Sequence, residues 1–131
     1  MNTKNSGYPT PDYGVATKRY CQTLLLRDNP ELIAQYVSAH SPAHIWPEIP
    51  EGIRAVGILD MEIFLFADRL FMIVTTPQDF EWEPAMARLG TLPRQAEWEA
   101  HVALFQLADA SAGSAEKWQL MDRVFSLREC R

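Results

Sequence analysis

The chain has 131 residues, 47% of them hydrophobic, which is enough to fill the core of one small domain. Its formal net charge is −5 with a sequence pI near 5.1, and Lys and Arg are scattered along it, so neither a nucleic acid nor an anionic membrane surface is an expected partner. Apolar stretches such as Ile63 to Ala67 fall far short of the roughly 18 residues that a membrane-spanning helix needs.

Residues 1–17 are polar and turn-rich, carry Pro9 and Pro11, and lack the apolar segment of a secretory signal. They are expected to form a flexible leader before a single domain at 18–131. Cys21 and Cys130 show no CxxC or metal-ligand spacing, so both are expected as free thiols in a cytoplasmic protein.

Arg19 to Leu26 has the β-branched, aromatic and leucine content of a buried strand. Asn29-Pro30-Glu31 then starts a helix, because Asn caps the free N–H groups and Pro fits the first helical position. Leu32, Ile33, Tyr36, Val37 and His40 recur at spacings that put them on one helical stripe, which is expected to end near Pro42. A second helical piece spans Pro50 to Ala55 and closes at Gly57. Ile58 to Phe66 and Leu70 to Thr75 form an antiparallel hairpin turned by Ala67-Asp68-Arg69. Phe80 to Leu89 and Arg94 to Leu107 read as a helix in two parts, broken at Gly90 and Pro93. Ala108 to Ala115 reads as a loop, and Trp118 to Leu127 as a last strand.

The resulting order, βαββαβ, is the ferredoxin-like arrangement of an α+β domain, with one antiparallel sheet and its helices packed on a single face. The other face needs cover, and two sheets facing each other in a homodimer would supply it.

Chemistry concentrates between Tyr36 and Glu48. Tyr36 and His40 are one helical turn apart on one face, so both can reach one pocket. His40 falls where the helix ends, and there the dipole is expected to favour the imidazolium. Its ordinary value of about 6.5 suits proton transfer at neutral pH. On spacing alone, half-buried packing residues are the commoner reading of such a pair.

His40 and His44 have the spacing of a zinc pair, but Pro42 interrupts the helix and no third ligand is evident, so no metal and no cofactor is expected. His44 reads as an exposed loop residue. Trp46 with Glu48, and Trp98 with Gln95, pair an indole that can lie on the apolar face of a sugar with a group that can bind hydroxyls. Trp82 and Trp118 are assigned to packing. Glu62, near Asp60 on the second strand, is a further candidate for the pocket, although solvated or edge positions are the usual fate of such charges. Motifs of hydrolases, kinases and dinucleotide-binding proteins are absent.

Tyr36-x-x-x-His40 followed by Trp46-Pro47-Glu48, with Gln95-x-x-Trp98 later, resembles the signature of the L-rhamnose mutarotase family over about Arg19 to Leu127. Ile45 to Pro50, Asp60 to Ile63 and Arg69 to Ile73 look more like its L-fucose mutarotase-like branch. The resemblance implies a dimeric α/β barrel built on the ferredoxin-like fold, with a catalytic histidine at His40 and a tyrosine at Tyr36 beside it. It also implies a monosaccharide substrate whose α and β anomers are interconverted by acid and base. The segment from His40 to Trp46 is two residues longer than in the rhamnose enzymes, which leaves the preferred sugar open between L-fucose and L-rhamnose. The alternative functions on such a fold are a non-catalytic small-molecule binding module and a cofactor-free monooxygenase.

Overall fold

A computed structural model describes residues 4–107 and 117–131. Four strands form one antiparallel sheet: β1 (Thr17–Leu25), β2 (Asp60–Phe66), β3 (Arg69–Pro77) and β4 (Gln119–Leu120). Their spatial order is β2-β3-β1-β4, so β3, the second strand of the hairpin, lies between β2 and β1, and β4 takes the edge beside β1. This is the split βαβ topology that the element order predicts. Register runs from Thr17↔Pro77 to Leu25↔Arg69 between β1 and β3, and from Asp60↔Thr75 to Phe66↔Arg69 between β2 and β3.

Among the described residues four α-helices connect the strands: α1 (Pro30–Ala39), α2 (Glu48–Ala55), α3 (Trp82–Leu89) and α4 (Gln95–Val102). Asn29 Oδ1 accepts from the backbone N–H of Glu31 at 3.0 Å and of Leu32 at 3.2 Å, which satisfies two of the free donors at the start of α1. The helix stops at Ala39, earlier than Pro42. Ser41 precedes that proline and is steered away from helical geometry, and the chain turns instead with Ile45 N–H donating to the Ser41 carbonyl. Of the expected stripe Tyr36 is buried, whereas Val37 is 52% exposed.

Side chains alternate across the sheet. Leu24 of β1 and Leu70, Met72 and Val74 of β3 are buried on the helical side. They join Tyr36, Ile49, Leu89, Trp98, Val102, Phe105 and Trp118 in one core. Cys21, Phe64, Phe71 and Ile73 belong to the opposite face. The chain before β1 reaches that face: Tyr8 packs edge-on against Phe64 at 5.3 Å between ring centroids, and the Tyr13 hydroxyl donates to Asp60 Oδ2 at 2.9 Å.

The last strand is much shorter than Trp118 to Leu127. Only Gln119 and Leu120 pair with β1, after which Met121 N–H still donates to the Cys21 carbonyl and the chain then leaves the sheet. Val124 is 94% and Leu127 75% exposed. The expected loop at 108–115 lies outside the described residues.

Candidate active site

A cavity of about 380 Å³ opens between the sheet and the helices, within the range of small-molecule sites. Each layer supplies part of its wall: Gln22 from β1, Met61 and Ile63 from β2, Met72 and Val74 from β3, Tyr36 from α1, Ile49 and Ile53 from α2, Trp82 and Met86 from α3, Gln95 and Trp98 from α4.

His40 caps the C-terminus of α1 and also lines the cavity. Its ring lies 4.1 Å from the Tyr36 ring and 5.1 Å, edge-on, from that of Trp98. Nδ1 is 2.7 Å from the Tyr36 backbone carbonyl. A carbonyl only accepts, so Nδ1 carries the hydrogen and Nε2 of the neutral ring is left with its lone pair. The helix end thus fixes the tautomer.

It does not favour the cation, contrary to the expectation from the dipole. Burial pushes His40 below its ordinary value of 6.5, the hydrogen bond to the Tyr36 carbonyl opposes this, and His101 nearby adds to the depression. At neutral pH the imidazole is an uncharged base. Tyr36 shifts the opposite way: burial raises the phenol well above 10.0, with a hydrogen bond from Gln106 pulling back, so its hydroxyl stays protonated.

The expected tryptophans divide differently from the sequence reading. Trp98 is in the wall, 6% exposed. Trp46 stands behind it at 5.1 Å between centroids, stacked on His101 and covered by the Arg94 guanidinium at 3.9 Å. Trp46 supports Trp98 and does not itself line the cavity. Glu48 also lies outside the wall. Its Oε1 is 3.7 Å from Arg94, too far for a hydrogen bond, and is buried without a hydrogen-bond partner, although the two side chains are otherwise more than a third exposed.

Trp82 and Trp118, assigned to packing, pack in the core and line the cavity as well. Glu62 is separated from the site. It pairs with Ile73 on the opposite sheet face, where it borders a second cleft with Tyr13 and Arg19. Gln95 is buried in the cavity wall.

Two buried glutamines escaped the sequence reading, Gln22 at 3% and Gln106 at 2% exposed. Gln22 had a signal: Tyr20, Gln22 and Leu24 share a face of a strand that is otherwise apolar. Gln106 had none, because it follows α4 in an irregular segment and bridges to Leu26. His44 is exposed and its Nδ1 is 2.9 Å from Ser41 Oγ. Among the described residues no three His, Cys, Asp or Glu are grouped to hold a metal ion, and no helix is long and apolar enough to cross a membrane.

A neutral imidazole of fixed tautomer, a protonated phenol and carboxamides thus share one aromatic-walled cavity, which Arg54, Asp60, Glu99 and Lys117 also line, and such a set can exchange protons with a small hydroxylated molecule. Residues 19–127 match the L-rhamnose mutarotase family, and the chain belongs to it, placing it among isomerases that act on sugar anomers. An L-fucose mutarotase of Xanthomonas campestris pv. campestris is 37% identical over 115 residues, which cover 88% of this chain and 92% of that protein. A UPF0734 protein of Dictyostelium discoideum is 32% identical over 114 residues, covering 84% of this chain and 90% of the relative. The crystal structure of an L-rhamnose mutarotase from Formosa agariphila aligns with a TM-score of 0.58 at 16% identity over 84% of this chain and 98% of that one, which is a likeness of fold.

Proposed function

We propose that the chain interconverts the α and β anomers of a 6-deoxyhexose, L-fucose or L-rhamnose, with His40 and Tyr36 as its proton-transfer groups. The observation that carries this reading is the His40 hydrogen bond to the Tyr36 carbonyl, which leaves Nε2 bare beside a protonated phenol. Mutarotation needs that pairing. A base removes the proton of the anomeric hydroxyl while an acid delivers one to the ring oxygen, the C1–O5 bond opens, and the aldehyde rotates about C1–C2 before the ring closes on its other face.

His40 Nε2 is the base in the opening step and returns the proton on closure, and the Tyr36 hydroxyl serves the ring oxygen. Trp98, braced by Trp46, offers an apolar face to the sugar C–H groups, and Gln95 offers donors and an acceptor to its hydroxyls. A binding module needs no such acid and base. The test is saturation-transfer NMR between the anomeric protons of L-fucose, and separately L-rhamnose. The native chain is expected to accelerate exchange of at least one sugar, and exchange at the spontaneous rate for both would overturn the assignment.

The same reading includes a homodimer in the cytoplasm. Phe71, Ile73 and Cys21 are only half covered on the open sheet face, and Val124, Phe125 and Leu127 project beyond the short β4. A second sheet laid against this one would cover both sets. Sedimentation equilibrium is expected to give twice the chain mass, and Phe125→Glu with Leu127→Glu to shift it toward the monomer. The two free cysteines fit a reducing compartment.

A further inference from the structure

Gln106 lies just beyond α4, where it forms an isolated antiparallel bridge with Leu26 off the end of β1. It is 2% exposed and lines the cavity that holds His40 and Tyr36. Its backbone N–H donates to the Ala103 carbonyl at 3.3 Å. Its side chain is less well provided for: among the described residues Oε1 is buried and receives no hydrogen bond. Native interiors rarely leave an acceptor in that state, and the exceptions ask for a group that arrives from outside.

The Gln106 amide acts on Tyr36 in the direction that lowers the phenol's value, as a donor would, and Oε1 is the end left without a partner. Gln22 brings a second buried carboxamide to the same cavity from β1. The same cavity is also lined by Arg54, Asp60, Glu99 and the buried Lys117; an amide oxygen can only accept, so at this point of the wall it matches a hydroxyl donor and not an anion.

Resting on the mutarotase reading above, we propose that Gln106 is a specificity-determining residue whose side-chain oxygen accepts a hydrogen bond from one ring hydroxyl of the bound sugar. A site built around such a bond rejects a substrate that lacks the hydroxyl, because the acceptor then stays buried and bare.

The experiment compares anomer exchange by saturation-transfer NMR for the full chain and its Gln106→Met variant. The substrates are the sugar that the native chain accelerates and three derivatives of it, lacking the hydroxyl on C2, C3 or C4. The native chain is expected to lose about 10- to 100-fold in kcat/KM on one derivative. Gln106→Met should lose a similar factor on the parent sugar and nothing further on that derivative, while the other two fall in proportion to the parent. An equal loss on all four sugars would make Gln106 a structural residue and overturn the proposal, as would a native chain that discriminates against none of the derivatives. If Gln106→Met does not fold, Gln106→Glu decides: it keeps an acceptor oxygen at nearly the same place and should keep the discrimination against the same derivative, and losing it counts against the role. A native chain that accelerates no parent sugar overturns the mutarotase reading together with this one, whereas failure of the variant comparison alone removes only Gln106.

Discussion

His40→Asn is expected to reduce enzyme-driven anomer exchange by about 10²- to 10⁴-fold, the usual weight of one general acid–base group. Asparagine can still donate to the Tyr36 carbonyl through its amide, but it offers no basic nitrogen to the cavity. A loss of catalysis without loss of fold is therefore the expected result, read by saturation transfer alongside circular dichroism. The pH profile carries an independent signature. Burial and His101 hold the His40 imidazole below 6.5. The acid limb of kcat/KM should accordingly lie below 6.5, with full activity kept through neutrality, and it should be missing from the residual activity of the variant.

The same shift acts on stability with a definite sign. An imidazole whose folded value is depressed binds fewer protons in the native chain than in the unfolded one, between the folded value and about 6.5. Stability from this group is complete above 6.5 and is lost as pH falls from there toward the folded value. Denaturation midpoints of the native chain should drop over that window more steeply than those of His40→Asn. Equal slopes would mean that the histidine is solvated and not buried against Trp98.

How much of this was legible in the sequence depends on how local each feature is. The start of α1 is written in three consecutive residues, Asn29, Pro30 and Glu31, and the structure repeats it bond for bond. The pairing of Tyr36 with His40 follows from helical spacing alone. The face of Glu62 was also legible: Met61 and Ile63 point into the core side, and a residue between two such neighbours on a strand points away. What was not legible depends on distant partners. Nothing in Trp46 or Trp98 tells which indole stands in front of the other, because that is set by how α4 packs on the turn after α1. The length of β4 is set by what β1 offers as an edge, and β1 pairs with only two of its residues. The direction of the His40 shift depends on how deeply α4 and α1 bury the ring, which outweighs the local dipole at the helix end.

Tyr36→Phe separates the phenol from the rest of its side chain. The ring packs on His40 and meets Phe105 edge-on at 6.3 Å, and both contacts survive the substitution, as does the backbone carbonyl that fixes the His40 tautomer. Only the hydroxyl is lost, so stability is expected to change by about 1 kcal/mol, the usual weight of one buried polar group. Activity should fall much further, by roughly 10²-fold in kcat with KM little changed, because the proton to the ring oxygen is needed in the transition state and not in the bound sugar. Burial keeps the phenol protonated well past its ordinary 10.0, so the native rate should show no alkaline limb from Tyr36 up to that pH. A raised KM with kcat intact would instead make Tyr36 a binding residue and leave His40 to manage both protons through a shared water. The split between kcat and KM in this one variant thus distinguishes a two-residue mechanism from a one-residue mechanism, using a change that leaves the wall of the cavity in place.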